Sequence, residues 1–411
     1  MPEKIIISFD DEKPKKADEK IIVEIKPEKK LNPSDEIKNS VISSYYRGNP
    51  QLTGCESSNL KYPEGLENGF RKIFSLRLND IFLNSILLNN KYAISSSSSG
   101  NTYFIDRFSG NLRSKHSFAN ESFEKTGIVT DNKIFLNSIK SIYGFDVSAE
   151  NIKEKKLYES AEGFYIWSNL NKINENAVFL EYSPLEKKAL VKNFGIIPEI
   201  SDIPDVKSGV DISVSKHLFD SVIIYKDFIF IFYDDKIMKY SIGNSSFKEY
   251  SLNFSINADT NFLLLDGKIY FNNRNNEIFY FDIANEDVKF TGIKCMYINS
   301  LAGFNDNIFI GVLNGWYLFK TSGVQVFSYE DIKENKIETV NKNILAVSNE
   351  NKIVFHNLNK FHEAEGFTVT SGTMDSDKIV SARIGDDAVF VLTKNGIMEA
   401  FNNDKLNLLL D

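Results

Sequence analysis

Residues 92–118 read YAISSSSSGNTYFIDRFSGNLRSKHSF. Two apolar runs, YAIS and NTYFID, stand on either side of a Ser-Gly break. A second break, FSGN, leads into the more polar LRSKHSF. Runs this short, rich in aromatic and β-branched residues and bounded by Gly, Asn and Ser, read as strands joined by tight turns. Gly100, Gly110 and the Asn residues beside them tolerate the positive φ that such hairpins demand. The stretch is therefore three consecutive antiparallel strands.

Working outward, the turn before Tyr92 (Asn89-Asn90-Lys91) recurs. Its counterparts are Asp131-Asn132-Lys133, Asn174-Glu175-Asn176, Lys226-Asp227, Asp266-Gly267-Lys268, Asn305-Asp306-Asn307, Asn341-Lys342-Asn343 and Asp386-Asp387. Their mean spacing is about 42 residues, the length of one propeller blade. An apolar strand follows each turn: YAIS, KIFLNS, AVFLEYS, FIFIFY, KIYFNN, IFIGVL, ILAVSN and AVFVLT. Nearly continuous apolar runs suit strands covered on both faces. A second turn and a third strand come next, such as Asn314-Gly315 and WYLFK. With the strand before the first turn and the polar strand after the third, each unit has four strands. The chain thus reads as an all-β protein, a β-propeller of about eight four-stranded blades, with a seven-bladed ring as the alternative. NFGIIPEISDIPDVKSGVD (193–211) is expected as an insertion between the third and fourth blades. Residues 150–162 and 329–335 are the only segments that suggest short helices.

Residues 1–40 differ in kind. Nearly half are charged, with both signs mixed, and they hold four of the nine prolines. Such a composition buries too little apolar surface to offset ordering entropy, so a flexible tail is predicted. Two apolar islands interrupt it, one holding Ile5, Ile6, Ile7 and Phe9, the other Ile21, Ile22 and Val23. Each is long enough to add as a strand to a sheet edge. Residues 41–69 read as irregular linker, and 70–411 as the propeller.

The 411 residues carry 48 Lys+Arg against 56 Asp+Glu, a net charge of −8. That balance lacks the positive footprint of a bulk nucleic-acid binder, so no nucleic-acid partner is expected. Cys55 and Cys295 form neither a C-x-x-C nor a disulfide framework, and free thiols fit a reducing compartment. Three isoleucines after Met1-Pro2-Glu3-Lys4 are too few for the core of an export signal. No apolar run approaches a membrane span. A cytoplasmic location is the resulting expectation.

The 92–118 unit resembles the repeat of the quinoprotein-type, WD40-like propellers, D-G-x-(L/V)-Y-A-(L/I)-D-x-x-T-G-x with a Trp following. Asp106 and Gly110 match its Asp and Gly, and Asp146 and Asp282 match the Asp alone. Later units carry Lys320, Asn357 or Asn402 at that place, and Arg113, His116 and Phe118 stand where the Trp is expected. The resemblance implies the propeller fold from about residue 70 onward. Catalytic members of that superfamily use adjacent cysteines, a Trp platform and an acidic metal-binding pair. This chain has no adjacent cysteines, so the resemblance implies the non-catalytic branch, whose members serve as assembly or scaffold proteins without a cofactor.

The residues themselves name no reaction. His116, His217, His356 and His362 are scattered, with no zinc-helix spacing, so no metal site is expected. Asp234-Asp235 and Asp386-Asp387 sit in turns, where Asp serves backbone geometry. The Ser95–Ser99 run has no G-x-S-x-G elbow, and no phosphate-binding Gly loop occurs. Catalytic and cofactor-binding residues are therefore not assigned. The aromatics Trp167, Trp316 and Tyr317 are the candidate protein contacts, since Trp and Tyr dominate interface hot spots; packing between blades is their other possible use. The reading is a non-enzymatic, protein-binding or scaffolding propeller, a component of a multiprotein assembly. Two alternatives stand beside it: a glycosidase- or lyase-like enzyme acting at the axial channel, and a secreted effector or bacterial multiprotein-system component.

Overall fold

A computed structural model describes Val41–Ser43 as a strand and residues 70–402, except for short segments at 131, 149–150, 174, 197–204, 215–216, 242–245, 331–334, 342, 359–365, 371–376 and 386–387. The tail islands lie outside the described residues.

Eight antiparallel sheets follow one another. Blade 1 consists of Leu87–Asn89, Tyr92–Ser96, Asn101–Asp106 and Leu112–Ser117, with Val41–Ser43 added antiparallel beside Leu87–Asn89. Blade 2 runs from Ile128 to Glu159, blade 3 from Tyr165 to Ser213 and blade 4 from Leu218 to Ser251. Blades 5, 6 and 7 run from Leu263 to Lys294, Ser300 to Glu330 and Lys336 to Thr370. The first strands of successive blades approach one another, which puts them innermost, around the axis. Second strands are buried along nearly their whole length, whereas outer strands such as Leu112–Ser117 and Gln325–Glu330 alternate between exposed and half-buried. This gradient is the reason the second strands read as unbroken apolar runs.

The last blade is closed by the other end of the propeller. Arg71–Arg77 pairs with Ile397–Asn402 as its outer strand, beside Val389–Thr393 and Ile379–Ile384. Glu399 is buried in this seam and accepts hydrogen bonds from Lys72 Nζ (2.7 Å) and Ser75 Oγ (3.0 Å). Among the described residues there are eight buried apolar clusters, one between each pair of neighbouring blades. One of them joins blade 8 to blade 1 through Phe82, Tyr103 and Phe390, so the ring has eight members and not seven.

Turn chemistry follows the sequence reading. Lys226, Asp266 and Asn305 have φ of 55°, 50° and 53° in the first turns. Asp106 accepts bonds from the backbone N–H of Phe108 and Ser109, and Asp282 from those of Ala284 and Asn285. The repeated Asp therefore starts the turn from the third strand to the fourth.

Two expectations are corrected. Lys153–Glu159 is the outer strand of blade 2, and Tyr329 and Glu330 end the outer strand of blade 6; no α-helix occurs among the described residues. Ladder pairing with Ser141–Asp146 wins there over local helical pattern. The long 193–211 segment lies within blade 3, because Lys188–Gly195 and Lys207–Ser213 are its third and fourth strands.

Candidate functional site

Polar residues stand at or just before the starts of several inner strands, and these meet at the axis. A cavity of about 290 Å³ is lined by the starts of inner strands from blades 1, 2, 3, 4, 5, 7 and 8. Hydrogen bonds pass around it from blade to blade. Asn84 Nδ2 donates to Phe123 O (3.2 Å), and the Thr126 amide donates to Asn169 Oδ1 (2.7 Å). Asn261 Nδ2 donates to Asn299 O (2.8 Å), the Ile337 amide to Ser300 Oγ (2.8 Å), and the Ile86 amide to Ser381 Oγ (3.2 Å). Buried polar groups in such a circuit fix the relative position of the blades.

Blade 3 departs from the repeat at this point. Its inner strand is split: Ile166 pairs with Glu181 and Asn171 with Val178, so four residues stand opposite two. A bulge re-aims side chains. Here Asn169 lines the cavity, and Trp167 Nε1 donates to Leu218 O of blade 4 at 3.1 Å. The half-buried indole also lies 5.8 Å from Lys125 Nζ, which is paired with Asp220 at 2.6 Å across blades 2 and 4. On the other side of the cavity Lys336 pairs with Glu338 (3.1 Å), and Glu338 accepts from Ser348 Oγ (2.7 Å). Arg383, only 2 % exposed, completes the charged lining.

The loops entering the blades are held to the hairpin between second and third strands by carboxylates. Asp80 accepts from Asn101 Nδ2 (2.7 Å) and Tyr103 OH (3.0 Å) in blade 1. Glu121 accepts from Ser141 Oγ and Tyr143 OH, both at 2.7 Å, in blade 2. Burial pulls each carboxyl upward, but the hydrogen bonds it accepts outweigh that and hold it below its ordinary value. Asp377 accepts from Thr393 Oγ1 and the Asn395 amide in blade 8. Three loops on this face are thereby stiffened.

The same face carries an exposed aromatic that the sequence reading passed over. Tyr297 is 61 % exposed and Met296 59 %, in the loop from blade 5 to blade 6. Tyr297 has φ 53°, an uncommon conformation for a bulky residue. Asn276 holds both sides of the loop: its carbonyl accepts from the Cys295 amide (3.2 Å) and its side chain from the Ile298 amide (3.3 Å).

The aromatics singled out from the sequence are placed differently. Trp316 is interior, 1 % exposed, against Phe327, Tyr329 and His356, and its Nε1 donates to His356 Nε2 at 3.3 Å. It packs blade 6 against blade 7 and presents no surface to a partner, because the second face of its strand is covered by the next blade. Tyr317, on the opposite side of that strand, is half-buried beside Phe319; burial first, then Cys295 and Glu330, push its hydroxyl upward. Trp167 is the one of the three that borders the axial site.

At the rim, Ser114 Oγ lies 2.6 Å from His116 Nε2, and His116 Nδ1 contacts Glu154 of blade 2. The imidazole is edged on Phe104 and Phe145. The cluster clamps the outer strands of blades 1 and 2. Among the described residues no group of three or more His, Cys, Asp or Glu is arranged to hold a metal.

No family model matches the sequence, and no curated protein matches it. Solved structures do. BamB from Moraxella catarrhalis superposes with a TM-score of 0.57 at 9 % identity, over 81 % of this chain and 99 % of that one. Sqt1 from Saccharomyces cerevisiae gives 0.59 at 10 % identity, over 81 % and 99 %. A europium-containing methanol dehydrogenase gives 0.61 at 8 %, over 86 % and 89 %. The fold is an eight-bladed β-propeller, as in these structures. Identities this low carry the propeller architecture alone, and a propeller that also serves a dehydrogenase assigns no activity by itself. Among the described residues, no helix is long and apolar enough to cross a membrane.

Proposed function

We propose that this propeller is a non-enzymatic protein-binding scaffold, a component of a multiprotein assembly, that docks a protein partner on the face bearing the axial cavity. The observation that carries the reading is Tyr297: an exposed, strained aromatic in a loop held from both sides by Asn276, directly after exposed Met296 in the chain. Strain kept at a surface is a mark of a working site, and Tyr and Met are favoured in interface cores. A stiff face loses little entropy on docking. The carboxylate-held loops supply that stiffness. The apolar tail islands at Ile5–Phe9 and Ile21–Val23 are proposed as a second contact, adding as strands to a partner's sheet. The buried free thiol of Cys295 fits the reducing, cytoplasmic setting of this reading.

The test is an affinity capture from native lysate with three baits: the full chain, the Met296→Ser/Tyr297→Ser variant and a chain lacking residues 1–40. The expected result is a stoichiometric protein retained by the full chain and lost with the double variant, whose melting temperature is unchanged. Loss on truncation would add the tail to the contact. Equal retention by the full chain and the double variant, or no retained protein, would overturn the assignment of this face.

A further inference from the structure

We infer that Ser114 is a covalent acceptor site, which takes an acyl group from an activated carboxylic ester with His116 as its general base. Leu112–Ser117 is the outer strand of blade 1, and Ser114 and His116, two residues apart, point to the same face of it. Ser114 Oγ lies 2.6 Å from His116 Nε2, and His116 Nδ1 contacts the carboxylate of Glu154 on the outer strand of blade 2. A carboxylate only accepts, so Nδ1 carries the ring proton and Nε2 is the acceptor facing the serine. One nitrogen is held by a group that fixes the tautomer, the other by a hydroxyl it can deprotonate. That arrangement turns a serine hydroxyl into a nucleophile. Glu154 acts through the imidazole and is a positioning residue.

The surroundings hold this geometry and leave it reachable. Phe104 and Phe145, both buried, meet the imidazole in T-shaped contacts, centroids 5.6 and 5.5 Å away, which limits its swing. Ser114 is half-buried, and the Glu154 side chain is 41 % exposed. The backbone offers a donor beside the serine. Pairing runs in steady register from Asn101↔Ser117 to Phe104↔Ser114, and the Phe118 amide donates to Gly100 O at 2.9 Å. Inward and outward amides alternate along an antiparallel strand, so those of Ser114 and His116 face the third strand and that of Lys115 faces the outer edge. Among the described residues no further strand of the sheet covers that edge. The N–H of the residue after the nucleophile is therefore open to a developing oxyanion.

In the step, Ser114 Oγ bonds to the carbonyl carbon as its proton passes to His116 Nε2. The bond from that carbon to the leaving oxygen breaks, and the leaving alkoxide takes the proton from Nε2. The serine is left as an ester and the imidazole neutral. One such acylation modifies the chain without turnover. Blade 1 and the loop between blades 5 and 6 that carries Tyr297 are separate parts of the ring, so the inference does not rest on the docking reading.

The test is labelling of the full chain with p-nitrophenyl acetate and, separately, with an alkyl fluorophosphonate, whose P–F bond breaks as a P–O bond to the serine forms. Adducts are mapped by mass spectrometry of the peptides. Ser117 is the internal control: it is exposed on the same strand, and its hydroxyl donates to Asn101 Oδ1. Both probes should mark Ser114 and leave Ser117 unmarked. His116→Gln should slow labelling by about a hundredfold or more. Glu154→Gln should slow it by about tenfold or more, with the melting temperature unchanged. No adduct at Ser114, equal labelling of Ser117, an adduct confined to Lys115, or an undiminished rate in His116→Gln would each overturn the inference. Where a substituted chain fails to fold, the comparison of Ser114 with Ser117 in the unaltered chain decides.

Discussion

His356 should make the propeller acid-sensitive between about pH 6.5 and 4. It sits in the third strand of blade 7 and is buried beside Trp316 and Tyr329, ring centroids 5.2 and 5.0 Å away. Trp316 Nε1 donates to His356 Nε2, so that nitrogen is an acceptor and the ring is neutral. Burial pushes the imidazole from its ordinary 6.5 down to about 4. The unfolded chain takes up a proton near pH 6.5 and the folded one does not until about pH 4. Between those values the unfolded state binds more protons, so stability rises with pH and is lost as pH falls. The drop from 6.5 to about 4 corresponds to about 3 kcal/mol. Urea unfolding should be followed at pH 7.5, 6, 5 and 4 for the unaltered chain and for His356→Gln, whose side-chain oxygen still accepts from Trp316. The carboxylates held low, Asp80 and Glu121, destabilise both proteins alike as pH falls and cancel in the difference. The unaltered chain should lose about 3 kcal/mol more than the variant from pH 7.5 to 4. Parallel curves would refute the placement of a neutral histidine between blades 6 and 7.

Other outcomes follow from the ring. Lys72→Met removes the ammonium that lies 2.7 Å from the buried Glu399 carboxylate and should cost about 1–2 kcal/mol in urea unfolding; an unchanged midpoint would mean that this seam contact contributes nothing to closure. Trp316→Ala, which empties the interface of blades 6 and 7, should cost about 3–5 kcal/mol in the same assay. Gly315→Ala should destabilise by more than about 1 kcal/mol, since φ is 138° and a Cβ would lie 1.9 Å from Tyr329 O; a neutral result would mean that the hairpin is placed wrongly. Cys295, its thiol pushed by burial up to about 12, should resist iodoacetamide at pH 8 until the chain unfolds, as peptide mapping will report.

The blades were legible because each central strand is covered on both faces, and burial on both faces writes an unbroken apolar run. Phe228–Tyr233 and Val389–Thr393 are the plainest examples. Asp106 and Asp282 were legible for a local reason: each organises its own turn within three residues. Closure was not, since Arg71–Arg77 pairs across some 320 residues with Ile397–Asn402 and resembles any polar edge strand. The use of Trp316 stayed open between contact and blade packing because it follows a turn; the Phe327, Tyr329 and His356 that cover it arrive from a neighbouring strand and a neighbouring blade.

The axial site lay outside that logic. It takes one to three residues from each of seven blades, spread from Leu83 to Arg383, and no local motif spans such a set. A signal was nonetheless present. A polar residue stands at or just before five of the short inner runs: Asn84 and Ser85 before Ile86, Thr126 before Ile128, Asp220 before Val222, Asn261 before Leu263 and Ser300 before Leu301. The repeat records what every blade must do to pack against two neighbours. The site consists of what the blades do not share: the split inner strand of blade 3, the Lys336 and Glu338 pair of blade 7 and Arg383 of blade 8. In a closed ring these departures all point at one axis, so the places where the 42-residue pattern fails are where a propeller of this kind acquires its chemistry.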